Sequence, residues 1–213
     1  MRVREIGRAG ARAPLLVVLD GPEYVRRAFL LRLLHRLVDQ REAPPHRVAL
    51  VVPDDRLETY SASTPYARAL VAALDDLAGR QVRRVGLGSS LGGLALLHAH
   101  RLEPRSFAGL FLQSGSFFRR RTDPQERGFR RFARVARFVG TVLRGEPGRP
   151  IPVTITCGLD EENLENNRAV AAALTEQGYD VELHESPGGH DWPLWRRQLK
   201  ARLPGLLERA WST

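Results

Sequence analysis

The chain has 213 residues, 43% hydrophobic and 27% charged, which fits one globular domain with a sizeable core. No apolar stretch approaches the roughly 20 residues of a membrane span, and the apolar run at 15–19 is too short for a signal-peptide core and ends in Asp20. No membrane partner and a cytoplasmic location are therefore expected. The net charge is +9, yet Lys200 is the only lysine among 33 basic side chains. That skew is what arginine-rich codon usage produces. The arginines are scattered apart from one cluster at 119–137, so no nucleic-acid partner is expected.

In chain order, apolar runs alternate with helical patterns. Residues 3–6 read as a short strand, 15–19 as the first long one, and 24–40 as a helix with Leu30, Leu33, Leu34, Leu37 and Val38 on one stripe. A strand at 48–52, a helix at 65–77 and a strand at 82–87 follow. Next come a helix at 91–102, a strand at 107–112, a strand at 151–157, a helix at 164–177 stopped by Gly178, a strand at 181–184 and a helix at 192–203. Near-continuous apolar strands alternating with helices imply an α/β fold, a mostly parallel sheet covered on both faces. Right-handed crossovers place all strand carboxyl ends on one edge, where ligands bind. The segment 113–150 breaks the rhythm. It is long enough for a cap or lid, and it also fits a crossover helix with a solvated arginine face. No linker or repeat divides residues 1–213, so a single domain is expected. Cys157 lies in an apolar strand and reads as a buried structural thiol.

The most informative motif is Gly88-Ser89-Ser90-Leu91-Gly92, which fits G-x-S-x-G between a strand and a helix. In a nucleophile elbow the serine sits on a very tight turn, so side chains two residues to either side are expected to collide, and glycine is expected at both 88 and 92. The turn would lift the Ser90 hydroxyl above the sheet edge. It would also aim the Leu91 N–H, at a helix N-terminus, toward a developing oxyanion.

A serine hydroxyl needs a base, and the base needs an orienting acid. His190 follows the last strand, in Ser186-Pro187-Gly188-Gly189-His190-Asp191-Trp192, where a hydrolase of this class carries its base. The other histidines lie on helices, before a strand or inside one. After the preceding strand come Asp160, Glu161 and Glu162, three carboxylates in the place for the acid, and position alone does not choose among them.

Together these residues resemble the α/β-hydrolase esterases, in their enterochelin (ferric-siderophore) esterase-like branch. Further marks are Leu19-Asp20-Gly21, Arg56-Leu57-Glu58, Gln113-Ser114-Gly115-Ser116, Cys157-Gly158-Leu159-Asp160-Glu161-Glu162-Asn163 and Gly189-His190-Asp191-Trp192 with Trp195-Arg196. The resemblance covers nearly the whole chain. It implies an α/β-hydrolase fold, ester hydrolysis through Ser90, His190 and Glu161, a small-molecule ester as substrate, and no metal or cofactor. The family's second oxyanion donor comes from the loop after Asp-Gly. Here Pro22, which has no N–H, follows Gly21, leaving Gly21, Glu23 or no donor from this loop. Siderophore esterases commonly carry an N-terminal β-domain. This chain starts almost at the catalytic core, which implies a more open mouth.

Asp20, Glu23, Arg56 and Trp192 are the pocket candidates. Arg56 and Glu58 are expected to bind ligand or, preferentially, to pair with each other and brace the edge. Trp195 is expected to pack the last helix on the sheet. Arg119, Arg120 and Arg121 could attract an anionic ester, although a solvated charge run is the commoner explanation. Four other readings compete. A dinucleotide site is disfavoured because the glycine spacing is one residue too long for G-x-G-x-x-G and follows the wrong strand. A metal hydrolase lacks an H-E-x-x-H or paired-Cys pattern. A catalytically silent binding protein on this fold and an acyltransferase using the same three residues remain as alternatives.

Overall fold

The computed structural model describes residues 1–6 and 9–212. Seven strands form one sheet in the order β1-β3-β2-β4-β5-β6-β7. They are β1 Arg2–Ile6, β2 Leu15–Leu19, β3 Arg47–Val52, β4 Arg84–Ser89, β5 Gly109–Gln113, β6 Pro152–Gly158 and β7 Asp180–Ser186. Only the β1–β3 pairing is antiparallel; the rest of the ladder is parallel.

The helices are α1 Gly21–Arg27, α2 Leu30–Asp39, α3 Arg56–Thr59, α4 Thr64–Ala78, α5 Leu91–Leu102, α6 Phe132–Leu143, α7 Leu164–Glu176 and α8 Trp192–Trp211. Strand β2 shows how the sheet divides the core. Leu15, Val17 and Leu19 join α4, α5, α6 and α7 on one face. Leu16 and Val18 join α1, α2 and α8 on the other. All five β2 side chains are fully buried, as a strand sandwiched between helix layers requires.

The expected elements are present with three differences. The helix at 24–40 is two helices, because Phe29 takes a left-handed φ of 52° between them. No glycine or proline marks that break, so hydrophobic periodicity runs straight through it. The last helix does not stop at 203. It continues through Pro204 to Trp211, burying Leu206, Leu207 and Ala210. An interior proline costs about 3 kcal/mol. Burying each leucine contributes about 1.5–3 kcal/mol, so packing wins. Thirdly, α3, just after β3, was not expected. In the segment 113–150, a 3₁₀ turn at Pro124–Gly128 precedes α6, whose Val135, Val139 and Val142 belong to the main core. Among the described residues no helix is long and apolar enough to cross a membrane.

Candidate active site

Each of three neighbouring strands is followed by a residue of positive φ. The residues after β2, β4 and β5 are Asp20, Ser90 and Ser114, with φ values of 54°, 56° and 49°. Left-handed backbone at a non-glycine residue costs on the order of 1–3 kcal/mol and persists only where its surroundings impose it. At Ser90 the restraints are visible. Its N–H donates to the Gln113 carbonyl at 2.8 Å, and its own carbonyl accepts from Leu94 N–H at 3.2 Å and Ser116 N–H at 3.1 Å. The Ser90 hydroxyl lies 3.0 Å from that of Ser116. Leu91 begins α5, so its N–H is one of the helix's unpaired first-turn donors.

The two elbow glycines are not equivalent. A Cβ at Gly88 would stand 2.7 Å from the Gly92 carbonyl carbon, a backbone collision. At Gly92 the nearest atom to a Cβ would be the Leu19 Cβ at 3.6 Å, with an Asp20 carboxylate oxygen at 3.7 Å. The expectation of a collision at both positions is corrected: packing demands glycine at 88 and leaves room at 92.

The base and acid candidates meet. Glu161 is 7% exposed, whereas Asp160 and Glu162 lie at the surface. His190 Nδ1 is 2.7 Å from Glu161 Oε2. A carboxylate only accepts, so Nδ1 is the donor in this contact. The other oxygen, Oε1, accepts from the Ser114 hydroxyl at 2.6 Å and the Gly158 N–H at 2.7 Å. Burial alone would raise the Glu161 pKa. The hydrogen bonds from His190, Ser114 and Gly158 outweigh it and hold the carboxyl below its ordinary range. The loops bearing the two residues are laced together, Leu159 N–H to the Ser186 carbonyl at 2.9 Å and Asp160 N–H to the Gly188 carbonyl at 3.2 Å. A Cβ at Gly158 would sit 2.1 Å from the Gly188 carbonyl oxygen, so only glycine allows this approach. Cys157 is fully buried beside this loop, and burial with the Glu161 charge pushes its thiol up to about 12.

The sequence marked Ser114 and Trp195 but not the hydrogen bonds that link them to Glu161. The Ser114 hydroxyl, while donating to Glu161, accepts from Trp195 Nε1 at 2.8 Å. The Trp195 ring packs edge-on to His190 at 4.9 Å and to Trp192 at 5.0 Å. Trp192 in turn meets Tyr24 at 5.1 Å. Tyr24 donates to Gln113 Oε1 at 3.0 Å, and Gln113 Nε2 donates to the Trp195 carbonyl at 2.9 Å, closing the circuit. Trp195 thus packs α8 on the sheet, as expected, and holds the Ser114 hydroxyl against Glu161. The signal available in the sequence was a polar run, Gln113-Ser114-Gly115-Ser116, directly after a buried strand at the ligand edge.

The loop after β2 brings Asp20 and Arg56 together. Arg56 Nε donates to Asp20 Oδ2 at 2.9 Å, the guanidinium lies over the Tyr60 ring at 5.5 Å, and the Tyr60 hydroxyl accepts from the Asp20 N–H at 3.2 Å. Burial raises the Asp20 pKa despite Arg56. Arg56 and Glu58 do not pair with each other, which corrects that expectation. Glu58 is held by Arg131 and by Arg134, the latter at 2.8 Å. The helix α3 turns the two side chains to different neighbours. The Glu23 N–H donates to the Asp20 carbonyl at 2.9 Å, so it is spent within the first turn of α1. Its carboxylate grips Arg26 and Arg27 on the exposed helix surface. Gly21 opens α1 so close to β3 that a Cβ would lie 2.6 Å from the Leu50 Cβ. Among the described residues no group of three or more His, Cys, Asp or Glu could hold a metal ion.

This architecture defines an α/β-hydrolase fold. The chain belongs to the family described as Putative esterase, whose model matches residues 5–206. The enterobactin esterase FES from Shigella flexneri, solved in the presence of enterobactin, superposes with a TM-score of 0.79 at 23% identity, over 97% of this chain and 54% of that one. S-formylglutathione hydrolase FrmB from Staphylococcus aureus gives 0.64 at 13% identity, covering 92% and 81%. An acetyl esterase from Caldicellulosiruptor saccharolyticus is 34% identical over 59 residues, 28% of this chain and 22% of its own length. The chain thus spans about half the length of the enterobactin esterase it matches.

Proposed function

We propose that this chain is a serine esterase that hydrolyses a small-molecule carboxylic ester. The observation that carries the reading is the buried Glu161 carboxylate. It accepts from Ser114, Gly158 and His190 Nδ1, which in the neutral imidazole leaves Nε2 free to take a proton, and Ser90 stands at the same strand-end edge of the sheet. Ser90 Oγ attacks the ester carbonyl carbon as His190 Nε2 takes its proton. The negative charge passes to the carbonyl oxygen, where the Leu91 and Gly21 N–H groups stabilise it. Glu161 holds the imidazole orientation and stabilises the imidazolium. Collapse breaks the bond to the alkoxy oxygen, which leaves as alcohol with the proton from His190. Water, deprotonated by His190, then cleaves the acyl-serine to release the acid and restore Ser90. Pro22 takes no part as a donor, and Glu23 is excluded by its helical hydrogen bond, so Gly21 is the remaining candidate from that loop.

Residues 1–213 act in this reading as one catalytic domain. Asp20, Arg56 and Trp192 border the substrate pocket, and the first part of segment 113–150 borders its mouth. Relatives named as an enterobactin esterase and an acetyl esterase support oxygen esters as the substrate class.

The test is hydrolysis of p-nitrophenyl acetate and butyrate by the wild type and Ser90→Ala. Loss of turnover on the order of 10⁶-fold in the variant is expected. Equal activity in both proteins overturns the assignment.

A further inference from the structure

The cations of this chain are unevenly engaged. The larger cavity, 1310 Å³ at the amino-terminal edge of the sheet, is rich in arginine. There Asp75 and Glu103 stand among the cations, Arg84 and Arg80 share Asp75 and Arg209 pairs with Asp180 and Glu182, while Arg68, Arg105 and Arg149 form no ion pair among the described residues. A compact cavity of 350 Å³ between α2 and the first half of α8 differs. Phe29 and Leu33 supply its apolar wall. Arg32, Arg36, Arg196, Arg197 and Lys200 line the rest, and no carboxylate does. Among the described residues none of these five cations forms an ion pair. Five like charges around one small volume repel one another, and an anion relieves that repulsion.

A second observation comes from Phe29. It is 45% exposed and sits in left-handed backbone at φ 52°. For a bulky side chain both features are unfavourable, and residues held this way cluster at active sites and ligand clamps. The ring engages two guanidiniums, Arg32 Cζ at 5.7 Å from its centroid and Arg196 Cζ at 5.3 Å, one from each helix. Ring contact restrains the two guanidinium planes, so their N–H groups meet an oxyanion with less ordering cost.

We propose that this cavity binds an anionic amphiphile, a carboxylate or phosphate head on an apolar body. The head is held by Arg32 and Arg196, and the body lies against Phe29 and Leu33. Its volume of 350 Å³ falls in the range of small-molecule sites. The inference is independent of the esterase reading, since none of these residues belongs to the Ser90 site.

The experiment is a titration with 8-anilinonaphthalene-1-sulfonate, an aromatic body with one anionic head, at constant ionic strength. Saturation at one site per chain is expected, and octanoate should displace the probe. Acetate (head without body) and octan-1-ol (body without head) should each displace it at least tenfold more weakly. The double variant Arg32→Ala/Arg196→Ala alters only exposed side chains and should weaken Kd at least tenfold. Phe29→Gly removes the ring while relieving the left-handed strain and should do the same. The surface variant Arg12→Ala/Arg137→Ala, at exposed arginines away from the cavity, should bind as the wild type does. A Kd in the double variant within twofold of the wild type overturns the proposal. So does equal displacement by octanoate and octan-1-ol. Retention on phosphatidylglycerol vesicles, lost in the same variants and without competition by octanoate, would reassign the patch to a lipid surface.

Discussion

The Ser114 hydroxyl donates to Glu161 across 2.6 Å while accepting from Trp195 across 2.8 Å, so one buried oxygen ties the Glu161 carboxylate, in the loop after β6, to the helix α8. Ser114 is itself held in left-handed backbone, its N–H on the Thr156 carbonyl at 2.7 Å. Glu161 therefore approaches His190 with its second oxygen already committed. The relation makes Ser114 a positioning residue for the proposed reaction.

Ser114→Ala removes a donor from Glu161 and leaves the Trp195 N–H buried without a partner. A buried unsatisfied group costs about 1–3 kcal/mol, which for a chain of this size lowers Tm by roughly 2–12 °C. Turnover should fall while KM stays near the wild-type value, because the hydroxyl steadies the acid and does not reach the substrate. Thermal unfolding and steady-state kinetics on the same preparations check both. Unchanged turnover in a destabilised variant would leave Ser114 a purely structural role.

Glu161→Gln keeps the shape of the acid and removes its charge. The amide can offer an N–H to His190 Nδ1 and favour the wrong tautomer, so kcat should drop on the order of 10³–10⁴-fold. Stability should change with pH in a defined direction. The Glu161 pKa is lowered in the folded state from its ordinary 4.5. Its contribution is therefore complete above about pH 4.5 and is lost as pH falls through the lower folded value. The wild type should lose more stability than Glu161→Gln on acidification through that window, as read by urea unfolding at a series of pH values.

Gly158→Ala sets a methyl group against the Gly188 carbonyl oxygen, 2.1 Å from its ideal position. Backbone has no flexible end to move aside, so the acid loop and the base loop must separate. The cost is about 1–3 kcal/mol of stability, with a large loss of turnover as His190 leaves Glu161. Gly189→Ala, where a Cβ meets nothing within 4 Å, should be near neutral for stability and serves as the control.

The elbow offers a sharper comparison. Gly88→Ala drives a Cβ into the Gly92 backbone at 2.7 Å and should unfold the elbow or yield little folded protein. Gly92→Ala meets only ordinary contacts, beginning at 3.6 Å, and should fold with a Tm close to the wild type. Circular dichroism melts of the two variants side by side decide whether glycine at 92 answers to packing.

Much of this molecule was legible in the chain. The apolar runs at 15–19, 48–52 and 151–157 could only be strands buried on both faces, and their alternation with helical stripes determined the sheet and its ligand edge. Ser90 was marked by glycines in a strand–helix context, and His190 by its place after the last strand. Local pattern carries this information because burial periodicity and turn sterics act over a few residues. The break at Phe29 and the passage of α8 through Pro204 were not legible, since both are settled by contacts with the sheet that outweigh local preference. Nor could spacing alone single out Glu161 from Asp160 and Glu162. Only the folded loops show that Gly158, Ser114 and His190 converge on Glu161, while its two neighbours remain in solvent. The pairing of Arg56 with Asp20, the hub at Ser114 and the five-cation cavity beside Phe29 likewise unite residues far apart in sequence. Hydrogen bonds and charge depend on distance in space, and tertiary structure alone sets that distance.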